Sequence, residues 1–412
     1  MFHSQQTVHS SLIHRSIPTI FYSIRFPVWI MSSSELTRNS LTTNELKTLH
    51  SKVQVILQQL VLPNEASPEQ FHDSWLRGTI PLDGISKNCQ FFDHFGFCHI
   101  KSFADSSEVE QLKQQMKDLT EMWDPQVKTM AFSTDAKSNE NQGSDDYFLE
   151  SATRVHFFAE SNALDDNNKL KCHYKTNKLG ALTKAGHGMH LLPGPFRNYC
   201  LSSKVKQLVA DLGWSDPVVP QSMYICKNPN IGGTVHSHQD STFLFTEPRQ
   251  SCLGLWLALD DATLENGCLW IRPQSHCESV RRHFRRNISH FGHDAIHNQS
   301  NIGCGDLEAP KMIFQSLPDS TPIQWEGALP EGSEPPYQGL LDAGFVPIEC
   351  KAGDLLVFPG TLDHFSLPNT SESQRHTFQL HLVEGPDAGI QWSKHNWLQY
   401  PKGAAFLSIK MD

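Results

Sequence analysis

The sequence predicts a mainly β domain, a sandwich or barrel with helices beside it, and three observations carry that expectation. From Val218 onward the chain breaks into short runs of branched and aromatic residues separated by Gly, Pro and Asn. Closely spaced short strands punctuated in this way are the pattern of all-β packing. Ahead of them, residues 91–103 read as a strand and 105–123 as a helix with an Asp or Ser cap, a strand-then-helix opening that marks the start of the main domain. Finally, Gly186-His187-Gly188 lacks both a third glycine and a preceding strand, so a dinucleotide-binding fold is not indicated.

The elements follow in order. The first thirty residues contain Arg15 and Arg25, and the first acid is Glu35. That composition weakly matches a mitochondrial transit peptide, with a disordered tail or a start at Met31 as the alternatives. Residues 43–61 place apolar side chains at helical spacing behind a Thr cap, and Pro63 and Pro68 follow. The expected organisation is therefore an N-terminal extension over 1–90 and a main domain over 91–412. Within the main domain 133–150 is polar and reads as a loop, and strands are expected in 218–226, 234–245, 251–261, 267–273, 354–360 and 376–385. One interruption, about 280–345, is rich in Gly, Pro, His and Asn, and such a long loop is usually functional or disordered. His290, His293 and His297 within it suggest a second metal site, against which a mobile polar insertion is the favoured reading.

Bulk properties narrow the function classes. A hydrophobic content of 38% with 10% aromatics supports a sizeable core in a soluble globular chain. The formal net charge of −10 gives no reason to seek a nucleic-acid partner. Basic residues are scattered apart from Arg281, Arg282, Arg285 and Arg286, which read as a solvated loop. The ten cysteines form no CxxC pair, which argues for reduced thiols and a cytoplasmic location, and against a disulfide scaffold or a structural zinc site. No apolar run approaches the ~18 residues of a membrane span.

The chemistry begins at Val235-His236-Ser237-His238-Gln239-Asp240. Alternate residues of a strand share one face, so His236, His238 and Asp240 converge, either on a metal or on a polar, solvated sheet face. His-x-Asp alone is a weak signal, because a chain with 22 histidines supplies about one such triplet by chance. His364 adds weight, lying just after an apolar strand and a Pro-Gly turn, and Arg375 opens another alternating run. Two histidines and one carboxylate on one face of an octahedral ion leave three positions open, the arrangement of non-haem Fe(II) oxygenases. A guanidinium nearby can hold a remote carboxylate through two parallel hydrogen bonds. His238, Asp240, His364 and Arg375 thus specify an ion and a dicarboxylate with a chelating head, which 2-oxoglutarate is.

The stretches VPQSMYI and GGTVHSHQDSTFLFTEP, then LWLALDDATLENGCLWIRPQSH, then the segment around His364 and Arg375, resemble the phytanoyl-CoA dioxygenase family, in particular its domain-containing subgroup. The resemblance runs from about Phe91 to Gln399, leaving the first 90 residues and the 280–345 insertion outside it. It implies a double-stranded β-helix, or jelly roll, flanked by helices, with iron held by His238, Asp240 and His364. It also implies that Arg375 and Ser366 take the far carboxylate of 2-oxoglutarate, with Lys184, Met223, Gln239 and Trp256 at further contact positions. Trp256 is expected to serve as a core residue as well. His236 is left lining the pocket or facing solvent. Relatives that halogenate carry a small residue where Asp240 stands, so the aspartate implies hydroxylation. PQSH (273–276) stands where the family usually has Pro-Gly-Ser-His.

The expected function is an Fe(II)- and 2-oxoglutarate-dependent dioxygenase, supported by ascorbate, with O₂ and a small-molecule substrate as partners and no nucleic acid or membrane. Acyl-CoA thioesters, other lipids, small metabolites and modified macromolecules all stay open as substrates. A jelly-roll binding protein without productive hydroxylation is the alternative, followed by a zinc-dependent cupin-type isomerase or hydrolase.

Overall fold

A computed structural model describes residues 41–59 and 92–411, apart from 127, 133, 135–142, 144, 319 and 321. The targeting expectation for the first thirty residues, and most of the proposed 1–90 extension, lie outside the described residues. Thirteen strands carry the architecture. The first four are β1 (Cys98–Ile100), β2 (Val155–Ala159), β3 (Leu182–His187) and β4 (Pro217–Lys227). Next come β5 (Val235–His238), β6 (Leu253–Ala258), β7 (Leu269–Ile271), β8 (Arg282–Arg286) and β9 (Met312–Ser316). The last are β10 (Val346–Ile348), β11 (Leu355–Pro359), β12 (His364–Ser366) and β13 (Arg375–Glu384).

Two facing sheets form the core. The larger runs β1-β11-β6-β13-β4-β3-β2 and is extended by the short pieces Met130–Ala131 and Leu407–Ser408; the smaller runs β10-β7-β12-β5. The chain crosses between them repeatedly: β4 large, β5 small, β6 large, β7 and β10 small, β11 large, β12 small, β13 large. That alternation of antiparallel strands is the winding of a double-stranded β-helix, the jelly roll that the family resemblance implies.

Side-chain alternation divides the large sheet. Leu255, Leu257, Phe378, Leu380 and Leu382 belong to one buried cluster with Val109, Leu112, Met116, Phe196 and Leu208. Those last five come from the helices α2 (Ser106–Met122), α4 (Pro195–Cys200) and α5 (Ser203–Asp211), which therefore cover the outer face. Arg375, Gln379, His381 and Trp256 point the other way, into the barrel. α2 starts with a reciprocal cap: Asp105 accepts from the Glu108 amide at 2.9 Å and Glu108 accepts from the Asp105 amide at 3.0 Å. Losing such a cap costs about 1 kcal/mol. The helix read at 43–61 is present as α1 (Thr43–Gln59), and its Leu49 and Val53 pack with Leu340 and Leu341.

Three expectations need correction. The 91–103 segment is a strand only at β1; residues 92–95 form a helical turn. The 133–150 segment ends in a short helix, α3 (Asp146–Glu150), capped by the Asp145 side chain. Most significantly, the 280–345 insertion is built structure: β8 and β9 pair as a hairpin, joined by α6 (Ile288–His297), with α7 (Gln338–Asp342) closing the segment. Arg281 and Arg286 are buried, so this arginine run is not a solvated loop. Arg286 donates to the carbonyls of Ser300, Asn396 and Trp397, which ties the hairpin to the C-terminal segment. No described helix is long and apolar enough to cross a membrane, and the nine described cysteines are free.

Candidate active site

The site is set by strand alternation on β12. Phe365 is fully buried, its ring parallel to Trp270 at 6.0 Å, so its neighbours His364 and Ser366 face the cavity instead. In the β12–β5 ladder His364 is the direct partner of His238, and their rings lie 4.3 Å apart. The strand ends at His238, and Asp240 opens a single 3₁₀ turn, Asp240–Thr242. Gln239 between them is still extended (φ −108°, ψ 128°), so alternation carries Asp240 to the face of His238, with Asp240 Oδ1 3.4 Å from His238 Nε2 and 3.8 Å from His364 Nε2.

Both imidazoles are prepared in the same way. His238 Nδ1 lies 2.8 Å from the His236 carbonyl and His364 Nδ1 lies 3.0 Å from that of Leu362. A carbonyl only accepts, so each Nδ1 carries the proton and each Nε2 presents a lone pair to the common centre. One donor atom from each of the three residues falls within 4.8 Å of the others. Two neutral imidazoles and one carboxylate are a donor set that suits ferrous iron. Burial and the facing His238 push His364 down to about 4. Burial opposes the charge on His238 too, but the Asp240 carboxylate outweighs it and raises its pKa. Burial opposes ionisation of Asp240, yet the surrounding histidines win and hold it well below the usual carboxylate range.

Arg375 is the second half of the site. It is 1% exposed, and its Nε and Nη1 have no hydrogen-bond partner. Two buried donor nitrogens without partners are costly, and an incoming carboxylate is a group that could satisfy both. Burial lowers Arg375 to about 10, and its guanidinium carbon lies 5.5 Å from the Trp256 ring. Met223, Gln379 and Trp256 are opposed across three adjacent strands, which places Met223 and Trp256 on one floor. Ser366 and Lys184 line the same cavity of ≈ 150 Å³. Lys184 Nζ sits 3.5 Å from the Phe132 ring and 3.2 Å from His187 Nε2. Burial alone holds this amine well below its usual range.

Gln239 is placed apart. Its side chain donates to the Thr361 carbonyl and accepts from the Arg281 amide, so only its backbone is left to meet a co-substrate. His236 lines the cavity and its Nδ1 lies 3.0 Å from Thr134 Oγ1. Histidines 290, 293 and 297 join no metal-binding group among the described residues.

Several lining residues escaped the sequence reading. His381, from β13, lies 3.2 Å from Asp240 Oδ2, and the alternation after Arg375 (375, 377, 379, 381) was the signal that could have found it. Phe132, Phe148, Phe243, Phe284 and Trp397 make the remaining wall largely aromatic, with Arg282 on the insertion hairpin as its outer cation. Behind His364, Asp363 is fully buried and held by Arg272 and Arg281, which also reach Glu278 and Glu326.

Known proteins supply the comparison. The family model for phytanoyl-CoA dioxygenase (PhyH) matches residues 92–377. A phytanoyl-CoA dioxygenase of Arabidopsis thaliana is 38% identical over 312 residues, covering 76% of this chain and 92% of its own. Phytanoyl-CoA dioxygenase domain-containing protein 1 of Rattus norvegicus is 36% identical over 310 residues, covering 75% and 92%. Phytanoyl-CoA dioxygenase 1 of Oryza sativa subsp. japonica is 35% identical over 312 residues, covering 75% and 92%.

Proposed function

This chain belongs to the phytanoyl-CoA dioxygenase family and is a 2-oxoglutarate-dependent dioxygenase, and from that premise we propose that it hydroxylates a C–H bond of a small-molecule substrate at an iron held by His238, Asp240 and His364. The observation that supports this reading most is the meeting, in one cavity, of those three donors with the unpartnered guanidinium of Arg375. Ferrous iron with 2-oxoglutarate, once bound, couples decarboxylation of the keto acid to succinate and CO₂ with activation of O₂ toward a nearby C–H bond.

The chain's own residues supply the rest. His238 and His364 give neutral nitrogen ligands because their Nδ1 protons are already committed to backbone carbonyls. Asp240 contributes one negative charge, leaving the site a net positive charge that favours an anionic co-substrate. Arg375 holds the far carboxylate, with Ser366 beside it, and thereby orients the keto acid across the ion. Lys184 lines the same cavity against the aromatic wall, where its buried amine is a further donor. Met223 and Trp256 pack against the co-substrate's methylene chain, and the aromatic wall excludes water around the substrate. The mostly apolar surface of that wall fits a hydrophobic substrate body, an acyl chain among the candidates.

The test is succinate formation from 2-oxoglutarate with Fe(II) and ascorbate, followed by untargeted metabolite profiling for products that have gained one oxygen atom. Turnover that is dependent on iron and lost in His238→Ala is expected. Full turnover in that variant, or none in the native chain with any substrate pool, overturns the reading. Decarboxylation with no oxidised product would instead favour the binding-protein alternative, for which no feature of the site speaks.

A further inference from the structure

Asp240 has two carboxylate oxygens, and the fold has already committed one. Oδ1 faces the histidine pair, at 3.4 Å from His238 Nε2 and 3.8 Å from His364 Nε2. Oδ2 lies 3.2 Å from Nε2 of His381, a residue that is 3% exposed. His381 Nδ1 is in turn 3.2 Å from Nε2 of Gln221 on the adjacent strand β4. An amide nitrogen donates, so Nδ1 accepts, and the remaining ring proton sits on Nε2, aimed at Oδ2. Beside His381 the carboxylate meets bare backbone. Gly254 is the ladder partner of His381, and a methyl group there would stand 3.4 Å from Asp240 Oδ2 and 3.0 Å from the Phe358 ring.

We propose that His381 is a positioning residue that makes Asp240 a one-oxygen metal ligand, and so keeps three coordination positions free for the keto acid and O₂. A carboxylate can bind an ion through one oxygen or two, and a second oxygen would take a position the reaction needs. Asp240 also needs holding more than the histidines do, because it stands in a single turn beyond the end of its strand. Both histidines are fixed by backbone carbonyls, whereas the carboxylate is fixed from a different strand, β13, the one that also carries Arg375. One strand thereby orients both the acidic ligand and the anchor for the co-substrate. His381 itself binds no ion in this scheme, since its lone pair is turned to Gln221 and its proton to Asp240.

The inference rests on the iron-site reading given above, and the test separates the two. Mn(II) binding to the full chain is measured by equilibrium dialysis without oxygen, for the native protein and for His238→Ala, His381→Ala and His381→Gln. The charge-transfer absorption of the anaerobic Fe(II)–2-oxoglutarate complex is recorded beside it, and metal-free melting curves identify any variant that has lost its fold. Loss of such an outer partner typically weakens metal binding about 10–100-fold, which is the loss expected for His381→Ala, with a displaced absorption band. His381→Gln, whose amide can donate near the original Nε2 position, should recover most of the affinity. Native affinity and an unmoved band in folded His381→Ala overturn the proposal. Equal losses in the Ala and Gln variants overturn it as well, leaving His381 a packing residue only. If the native chain binds Mn(II) no better than His238→Ala, the iron-site reading falls and takes this proposal with it.

Discussion

Asp363 and Arg281 form a buried ion pair directly behind a proposed metal ligand: the aspartate is 0% exposed, the arginine side chain 4%, and the next residue in the chain is His364. Arg272 grips the same carboxylate, and the Arg281 backbone amide binds the side chain of Gln239, between His238 and Asp240. Removing one partner from such a pair strands the other charges without solvent. Asp363→Ala is expected to cost about 3–5 kcal/mol in chemical denaturation, and to weaken metal binding by loosening the turn before His364. An unchanged denaturation midpoint would show that the cluster is not holding this turn.

On the proposed role, Arg375 should cost the ligand-free protein stability and return it when 2-oxoglutarate binds. Arg375→Met should raise the stability of the ligand-free chain by about 1–3 kcal/mol, because an unpaired buried charge disappears. The same change should raise the apparent KM for 2-oxoglutarate about 10–100-fold, the worth of lost charge-assisted hydrogen bonds. Arg375→Lys should rescue little, since a point charge does not reproduce the planar fork. Melting temperature and steady-state kinetics on the three proteins check both halves, and an unchanged KM removes the assigned role.

Gln274 takes φ +67°, at the position where relatives were expected to carry glycine. A side chain in that left-handed region costs roughly 1–2 kcal/mol, whereas glycine adopts it freely. The compensation is small: Gln274 Nε2 lies 3.3 Å from His94 Nε2. Gln274→Gly is therefore expected to stabilise the chain by about 1 kcal/mol in denaturant titration, and a loss of stability would mean that the His94 contact outweighs the backbone term.

Acid should weaken the fold through histidines that the native state keeps neutral. Burial drives His190 down to about 3 and His283 down to about 4. As pH falls below the ordinary histidine value of about 6.5, the unfolded chain binds protons that the folded chain refuses, so stability drops until pH reaches the folded values. Each site contributes about 1.4 kcal/mol per pH unit across that window, so together they should cost on the order of 3–4 kcal/mol between pH 7 and pH 5. Denaturation at the two pH values measures this, and His283→Gln should flatten the slope. An identical slope in that variant would assign the acid sensitivity to other groups.

How much of this was legible beforehand depended on whether a contact was local. His238, His364 and Arg375 stand on strands whose alternation can be read from sequence, and the structure gathers them around one cavity. Asp240 follows the same alternation through the extended Gln239, one step past the end of the strand and at the start of a 3₁₀ turn. His381 was missed because its contact depends on the register of β13 in the sheet and on where the Asp240 turn comes to rest, neither of which a single sequence displays. The insertion was misread because Gly, Pro and His hide a hairpin whose apolar contacts, Phe284 on Phe314 at 4.8 Å, lie far apart in the chain. Its arginines look solvated by composition, yet Arg286 is satisfied almost wholly by distant carbonyl groups.

The hairpin's footing has a consequence for redesign. Phe284 and Arg282 face the cavity from a segment whose first residue, Arg281, also braces the turns bearing Asp240 and His364. Selectivity and iron retention are therefore mechanically geared: grafting this loop from a relative transplants part of the ion's scaffolding along with the new wall. Exchanges confined to 282–316 keep the two separable, and those that reach Arg281, its partner Glu326 or the Gly327–Ala328 backbone bonded to Ser237 do not.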